Sequence, residues 1–175
     1  MKSLRQALCF LTTLPVPYPQ ELSFAQLGQA ARWFPLVGLL LGVSLATLHW
    51  LFRLLFPPIL AAILLTAFWA LLTGGLHLDG LADCGDGLLV SAAPERRLEI
   101  LKDSRLGSFG ALTLIFHLLL KIAALTYLNR QAAWFVLPAA AALGRGLMVI
   151  SATQPFARPG GLGDTFASGL QKRRQ

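Results

Sequence analysis

Long runs of apolar residues constrain this chain more than any other feature, because they are long enough to cross a membrane. A helix needs about 20 apolar residues to span the hydrocarbon core. Four stretches approach this length: 36–56, 59–74, 111–128 and 132–150. The second is short and needs help from its flanks or from local thinning of the bilayer. The sequence therefore predicts an all-α integral membrane protein with about four transmembrane helices and a long central loop, from about residue 75 to 110.

The composition indicates that the chain contacts a lipid bilayer rather than a nucleic acid. Only 13% of the 175 residues are charged, against roughly a quarter in soluble domains. The net charge of +7 is compatible with nucleic-acid binding in principle. However, the basic residues cluster beside the apolar runs, where they orient a membrane protein. We therefore expect no nucleic-acid partner.

The distribution of basic residues predicts the orientation. Eleven lie in the two polar ends and the central loop: Lys2, Arg5, Arg32, Arg96, Arg97, Lys102, Arg105, Arg158, Lys172, Arg173 and Arg174. The two opposite turns contain only Arg53 and Arg130. By the positive-inside rule, both ends and the central loop face the cytoplasm. All eight acidic residues then fall on that side, so we expect any chemistry there.

The segment 74–88, GGLHLDGLADCGDGL, concentrates carboxylates in an otherwise apolar chain. Asp79, Asp83 and Asp86 follow the spacing i, i+4, i+7, which places them on one face of a helix. Three close carboxylates repel one another, and a divalent cation removes that conflict. Oxygen ligands suit magnesium, calcium or manganese, and magnesium commonly bridges carboxylates to substrate phosphates. The pattern predicts a metal or phosphate site.

Other interpretations of this segment remain open. A single aspartate here would most simply belong to a solvated loop. A calcium-binding loop is a weak alternative, since the ligand order and distal glutamate of an EF-hand are absent. His77 can donate a hydrogen bond to an anion or transfer a proton. Gly80, Gly85 and Gly87 are expected to let a phosphate approach the backbone.

A second polar segment precedes the third apolar run. Lys102, Asp103, Arg105 and Ser108 lie around Gly107 and Gly110 in the sequence LKDSRLGSFGALTL. Such donors beside a helix N-terminus favour an anion. A basic anchor at the membrane surface explains the same residues about equally well.

Two cations and two histidines lie inside apolar runs. A charge at the centre of a membrane costs about 2.5–3.5 kcal/mol on insertion scales, so Arg145 and Lys121 are candidate site residues. Arg145, between two glycines, is the better candidate for binding an anionic substrate group, whereas Lys121 can snorkel or pair with an acid. His49 and His117 are expected to be packing residues.

Five blocks of the sequence together resemble a known family. They are FLTTLPVP, WFPLVGLLLG, TGGLHLDGLADCGDGLL, KDSRLGSFGALTL and ALGRGLMVISATQPFARPGGLGDTF. In this order they resemble cobalamin synthase, the adenosylcobinamide-GDP ribazoletransferase family. The family commonly has small residues where Cys84 and Gly85 stand here. The resemblance implies a single membrane-embedded domain over residues 1–175, and family members usually continue through further membrane helices.

The resemblance also implies a reaction and roles for the residues above. A hydroxyl of α-ribazole, or of its 5′-phosphate, attacks the cobinamide-linked phosphate of adenosylcobinamide-GDP, and GMP leaves. The family needs magnesium, so Asp79, Asp83 and Asp86 are expected to bind Mg²⁺. The second motif supplies Lys102, Arg105 and Ser108 for substrate binding. His77 and Asp103 are the expected catalytic residues, with Asp103 favoured as the base because a metal-free carboxylate is the stronger base.

Two further functions stay open. Asp83-x-x-Asp86-Gly87 resembles the start of the motif of CDP-alcohol phosphotransferases, which displace CMP with an alcohol, although their following Ala-Arg and second acidic pair are missing. A cation-binding membrane subunit without catalysis is the other alternative. The resemblance places the protein in a bacterial inner membrane with its site facing the cytoplasm, and a homo-oligomer remains an open alternative.

Overall fold

The computed structural model describes residues 2–17, 23–103, 105–156 and 160–171, and within these ranges the regular structure is entirely helical. The α-helices are α1 (Lys2–Leu11), α2 (Phe24–Ala30), α3 (Phe34–Leu55), α4 (Pro58–Leu72), α5 (Leu76–Leu88), α6 (Pro94–Ile100), α7 (Ser108–Tyr127), α8 (Arg130–Ser151) and α9 (Leu162–Gln171). A short 3-10 helix, Ala31–Trp33, joins α2 to α3. The predicted all-α class is confirmed.

Three helical segments are long and apolar enough to cross a membrane: Phe24–Leu55, Ser108–Tyr127 and Arg130–Ser151. A fourth is counted if α4 and α5, bent by 93° from each other, form one broken span. Large apolar side chains along these helices remain exposed, among them Leu119, Leu120 and Phe135. Exposed apolar surface of this extent is the expected surface of a protein in contact with lipid.

The chain divides into two compact units, residues Met1–Leu51 with Asn129–Gln175 and residues Phe52–Leu128. In the first unit, one stripe of α3 is buried at intervals of three to four residues, including Val37, Leu41, Leu45 and His49. The complete burial of His49 confirms its predicted packing role. The expectation of a single domain over the whole chain stays a prediction.

Two glycines one helical turn apart allow α3 and α8 to approach closely within the first unit. A Cβ at Gly38 would meet the backbone of Ala141, and one at Gly42 would meet that of Pro138. Small residues four apart are a common means of joining two helices in a membrane. Pro138 lies inside α8.

The central segment is more ordered than the long loop that the sequence predicts. Residues Leu76–Leu88 and Pro94–Ile100 are helices. Gly74 and Gly75 form the bend before α5 with φ angles of 63° and 70°. A residue with a side chain rarely adopts these angles, so the glycine pair allows the chain to turn from α4 into α5 within two residues. After this turn α5 runs at 93° to α4.

Part of the charge pattern behind the predicted orientation lies outside the described residues. Arg158, Lys172, Arg173 and Arg174 belong to that part of the chain. Among the described basic residues, Arg53 donates a hydrogen bond from Nη1 to the carbonyl oxygen of Thr126 at 2.9 Å. This contact ties the end of α3 to the end of α7 within the second unit.

Candidate active site

Helix α5 carries the three aspartates on one face, as their spacing predicts. Successive residues of an α-helix are rotated by about 100°, so Asp83 lies about 40° to one side of Asp79 and Asp86 about 20° to the other. Asp79 is exposed, and Asp83 and Asp86 are half-buried. The helix buries Ala82 and Gly85 on the side of Asp86, and Gly87 on the side of Asp83. Ala82 and Gly85 lie against Gly110 of α7, so Asp86 is the aspartate on the side of α5 that faces α7.

Both carboxylate oxygens of Asp86 accept hydrogen bonds from the beginning of α7. The backbone N–H of Gly107 donates to Oδ2 at 2.8 Å, and the backbone N–H of Gly110 donates to Oδ1 at 2.8 Å. The first N–H groups of a helix have no partner within that helix. Gly107, the residue preceding α7, has no side chain to accept them. Asp86 supplies the missing acceptor and connects the two polar segments of the sequence.

The glycines of this region mostly allow close packing of protein groups. A Cβ at Gly85 would meet Thr113 and Gly110 of α7, and a Cβ at Gly87 would meet the side chain of Leu101. The expectation that these two glycines make room for a phosphate is wrong, because α7 occupies the space at Gly85 and the Leu101 side chain occupies it at Gly87. Gly80 faces open space, with nothing within 4 Å of a Cβ built there. Its predicted role in phosphate approach stays a prediction.

The segment between α6 and α7 places its charged residues at the surface. The guanidinium of Arg105 donates to both carboxylate oxygens of Asp103, at 2.6 Å from Nη2 and 3.0 Å from Nε. These hydrogen bonds, together with one from the Arg105 backbone, hold the pKa of Asp103 at about 2. A carboxylate with such a low pKa is a weak base at neutral pH. Lys102 and Ser108 are also exposed, and the substrate-binding roles of these residues stay predictions.

His77 lies in the first turn of α5, where the hydroxyl of Thr73 contacts its ring. Thr73 Oγ1 lies 2.9 Å from the carbonyl oxygen of Trp69, to which it donates, and 3.2 Å from His77 Nδ1. Which of the two groups donates in the second contact depends on the tautomer of the imidazole. The other ring nitrogen, Nε2, is buried. The predicted catalytic role of His77 stays a prediction.

The charged residues of the apolar helices have different surroundings. Lys121 Nζ lies 4.0 Å from the centre of the Trp69 ring, a cation–π contact within the second unit. An acidic partner for Lys121 was one of the sequence-based expectations, whereas the contact with Trp69 was not predicted. Arg145, in the first unit, is half-buried, and its Nε atom has no hydrogen-bond partner among the described residues. Such an unsatisfied buried donor is consistent with an anionic ligand.

The donor set of α5 has the chemistry of a magnesium site without being a closed one. Among the described residues, no three His, Cys, Asp or Glu side chains stand close enough together to hold a metal ion. Asp79 and Asp83 offer carboxylate oxygens one helical turn apart. Asp86 accepts hydrogen bonds from α7, and the expectation that it also binds the metal stays a prediction. Magnesium usually takes one or two carboxylates, with substrate phosphates and water completing its shell. Two carboxylates facing a diphosphate fit that requirement.

Sequence reasoning missed the residues that connect the two polar segments. Gly107 and Gly110 were expected only to accompany an anion site, and Thr73 was not considered. The signal that could have identified the glycines is their spacing: one stands at the start of α7 and the other three residues later. Both N–H groups at such positions are unpaired donors of a helix N-terminus.

Fold and site together define a helical membrane protein with a carboxylate-rich helix joined to the N-terminus of a membrane-spanning helix. The sequence model of the family described as cobalamin-5-phosphate synthase matches residues 3–175. The chain belongs to this family.

Curated relatives cover nearly the whole chain. The adenosylcobinamide-GDP ribazoletransferase of Desulfitobacterium hafniense is 41% identical over 170 residues, which are 95% of this chain and 67% of the relative. The protein of the same name from Syntrophobacter fumaroxidans is 42% identical, covering 95% of this chain and 69% of the relative. That from Pseudomonas aeruginosa is 43% identical, covering 99% and 71%. No solved structure matches the chain.

Proposed function

We propose that this protein is an adenosylcobinamide-GDP ribazoletransferase of a bacterial inner membrane. The observation that carries the proposal is the family match over residues 3–175, which includes both polar segments that meet at Asp86. Relatives of this name align over nearly all of the chain at about 42% identity. The carboxylates of α5 and the nearby basic turn have the chemistry that a diphosphate substrate requires.

The proposed reaction transfers a phosphate-linked cobinamide to an alcohol. A hydroxyl oxygen of α-ribazole, or of its 5′-phosphate, forms a bond to the cobinamide-linked phosphorus of adenosylcobinamide-GDP. The phosphoanhydride bond to the guanosine-bearing phosphate breaks, and GMP leaves with the bonding electron pair. The hydroxyl proton passes to a base of the protein. The products are GMP and adenosylcobalamin, or its 5′-phosphate.

Asp79 and Asp83 are the residues proposed to hold Mg²⁺ together with the diphosphate. A bound magnesium ion supplies neutralisation of the charge that develops on the phosphate oxygens. The two carboxylates lie one helical turn apart, one exposed and one half-buried, on the open side of α5. In this arrangement each can contribute a ligand while the substrate approaches from solvent.

Proton acceptance is assigned to His77 rather than to Asp103. Thr73 Oγ1 lies 3.2 Å from His77 Nδ1 and orients the imidazole ring. Asp103 is committed to Arg105, which keeps its pKa at about 2. A carboxylate with so low a pKa is a poor base at neutral pH, which leaves the imidazole as the better candidate. Asp103 then serves to orient Arg105, and Arg105, Lys102 and Ser108 contribute donors to the substrate phosphates.

Arg145 is proposed as a separate anion-binding residue. It lies in an apolar helix, where an unpaired guanidinium is costly. Its Nε atom lacks a hydrogen-bond partner among the described residues, and a substrate phosphate would satisfy it. A site that faces the cytoplasm is part of the proposal, and the basic residues of the sequence at both ends and in the central segment support it.

The nucleotide that is released tests the proposal. Protein reconstituted in lipid receives adenosylcobinamide-GDP, α-ribazole and Mg²⁺, and chromatography follows GMP and the corrin product together. Equal amounts of GMP and adenosylcobalamin are expected. No GMP from this mixture, together with CMP from a CDP-alcohol and an acceptor alcohol, would assign the chain to lipid phosphotransfer instead. Mg²⁺ binding with neither nucleotide would support a subunit without catalysis.

A further inference from the structure

We propose that Asp86 is a positioning residue: its carboxylate fastens the N-terminus of α7 to the acidic helix α5. Both oxygens are used, each by one backbone N–H at 2.8 Å. Hydrogen bonds from N–H groups to an ionised carboxylate are stronger than those between neutral groups. The carboxylate also faces the positive end of the α7 dipole. Asp86 therefore has a different role from Asp79 and Asp83, which are proposed to bind Mg²⁺.

The surrounding residues are shaped for this contact. A Cβ at Gly107 would collide with the Asp86 carboxylate, and a Cβ at Gly110 would collide with the carboxylate and with the carbonyl oxygen of Ala82. The φ angle of Gly107 is −89°, which any residue can adopt. Space for the carboxylate, rather than backbone conformation, is therefore what requires a glycine at this position. Gly107 and Gly110 together leave space for the Asp86 carboxylate.

The position of Asp86 on α5 explains why this aspartate differs from the other two. It lies on the side of α5 that packs against α7, beside the buried residues Ala82 and Gly85. Asp79 and Asp83 lie farther round the helix and away from that contact. Neither donates to nor accepts a side-chain hydrogen bond from α7 among the described residues.

The consequence concerns the geometry of the reaction, and this step rests on the proposed function. The turn with Lys102, Arg105 and Ser108 ends where α7 begins. Fixing Gly107 and Gly110 to Asp86 therefore fixes the distance between these donors and the carboxylates of α5. A misplacement of about 1 Å at a reacting group can cost roughly a hundredfold in rate. Asp86 acts on catalysis through α7, and its own contact with the substrate is not required.

Amide exchange of the two glycines tests the contact without any substrate. Protein labelled with ¹⁵N-glycine is placed in lipid nanodiscs, and exchange of the Gly107 and Gly110 amides is followed by NMR. Both amides are expected to be protected, although N-terminal helix amides normally lack partners. Asp86→Asn retains only one acceptor oxygen and should speed exchange at these two glycines about tenfold or more. Asp79→Asn, the matched control on the same face, should leave both rates unchanged.

Steady-state kinetics then separate positioning from simple stabilisation. Per folded molecule, Asp86→Asn should lower kcat at least about tenfold. Gly110→Ala, which displaces the same carboxylate from the other side, should lower it similarly. The double variant should be no slower than the more severe single variant, because both changes break one contact.

Three results would overturn the inference. The first is fast exchange of both glycine amides in the unsubstituted protein. The second is equal protection in the parent and in Asp86→Asn. The third is a double variant whose losses in kcat multiply. Protected glycines in a parent that releases no GMP would instead leave the contact established and count against the proposed function.

Discussion

Two pairs of helices in this protein come together over glycines, and their contacts differ in charge. In the first unit, Gly38 and Gly42 of α3 lie against the backbone of α8 around Ala141 and Pro138. In the second unit, Gly85 of α5 lies against Thr113 and Gly110 of α7. The residues that meet at the first contact have apolar side chains or none. The second includes a carboxylate, Asp86, that accepts two backbone hydrogen bonds.

The difference shows what each contact contributes. Apolar packing between small residues brings two membrane helices together and requires nothing else. A half-buried carboxylate is costly unless its acceptors are satisfied, and it is satisfied here only if α7 begins at one particular place. The charged contact therefore fixes where α7 begins relative to α5, whereas the apolar contact only allows α3 and α8 to approach closely. The candidate active site stands at the charged contact.

The largest effect on activity is expected at Asp79 and Asp83, which form no side-chain hydrogen bond with α7 among the described residues. Asp79→Asn and Asp83→Asn keep the side-chain volume and remove a metal ligand. Each should lower the rate of GMP release at least about a hundredfold, because a metal supplies several kcal/mol of transition-state stabilisation. Glu95→Gln, an exposed carboxylate at the start of α6, is the matched control and should stay within about twofold of the parent. Parent-like rates in both aspartate variants would remove the metal site from α5.

The two glycine contacts can be compared directly by adding one methyl group to each. Gly42→Ala forces α3 away from Pro138 and should destabilise the fold by about 1–3 kcal/mol. Its kcat per folded molecule should remain near that of the parent. Gly110→Ala should reduce both stability and kcat. Denaturation in detergent and GMP release measure the two quantities, and a loss of kcat in both variants would erase the distinction between the contacts.

The smallest effect on stability is expected at the exposed ion pair of Asp103 and Arg105. Folding lowers the pKa of Asp103 from its ordinary value of about 3.9 to about 2. The ion pair therefore stabilises the folded state above about pH 4, and this stabilisation is lost as the pH falls through about 2. Arg105→Gln removes the guanidinium and keeps the backbone hydrogen bond, so an NMR titration of the Asp103 carboxyl should show its pKa rising from about 2 toward the ordinary value without fully reaching it. Because the Arg105 side chain is 87% exposed, the melting temperature should change by at most about two degrees.

The sequence predicted the helical segments and the acidic face well, because both depend on local spacing. The apolar runs gave the spans to within a few residues, and the i, i+4, i+7 pattern placed the aspartates on one side of α5. The bend at Gly74 and Gly75 and the contact of Asp86 with α7 were missed. Asp86 and Gly107 are 21 residues apart, and no local pattern reveals which unpaired donor a carboxylate will meet. The same limit applies to Lys121 and Trp69.

The division of roles within α5 is tested most directly by a magnesium titration of GMP release in three single variants. Asp79→Asn and Asp83→Asn should each raise the Mg²⁺ concentration for half-maximal rate at least about tenfold, since each removes one ligand. Asp86→Asn should lower the maximal rate and leave the half-maximal Mg²⁺ concentration within about twofold of the parent. An upward shift in Asp86→Asn equal to that of the other two would make Asp86 a metal ligand like its neighbours and contradict the account.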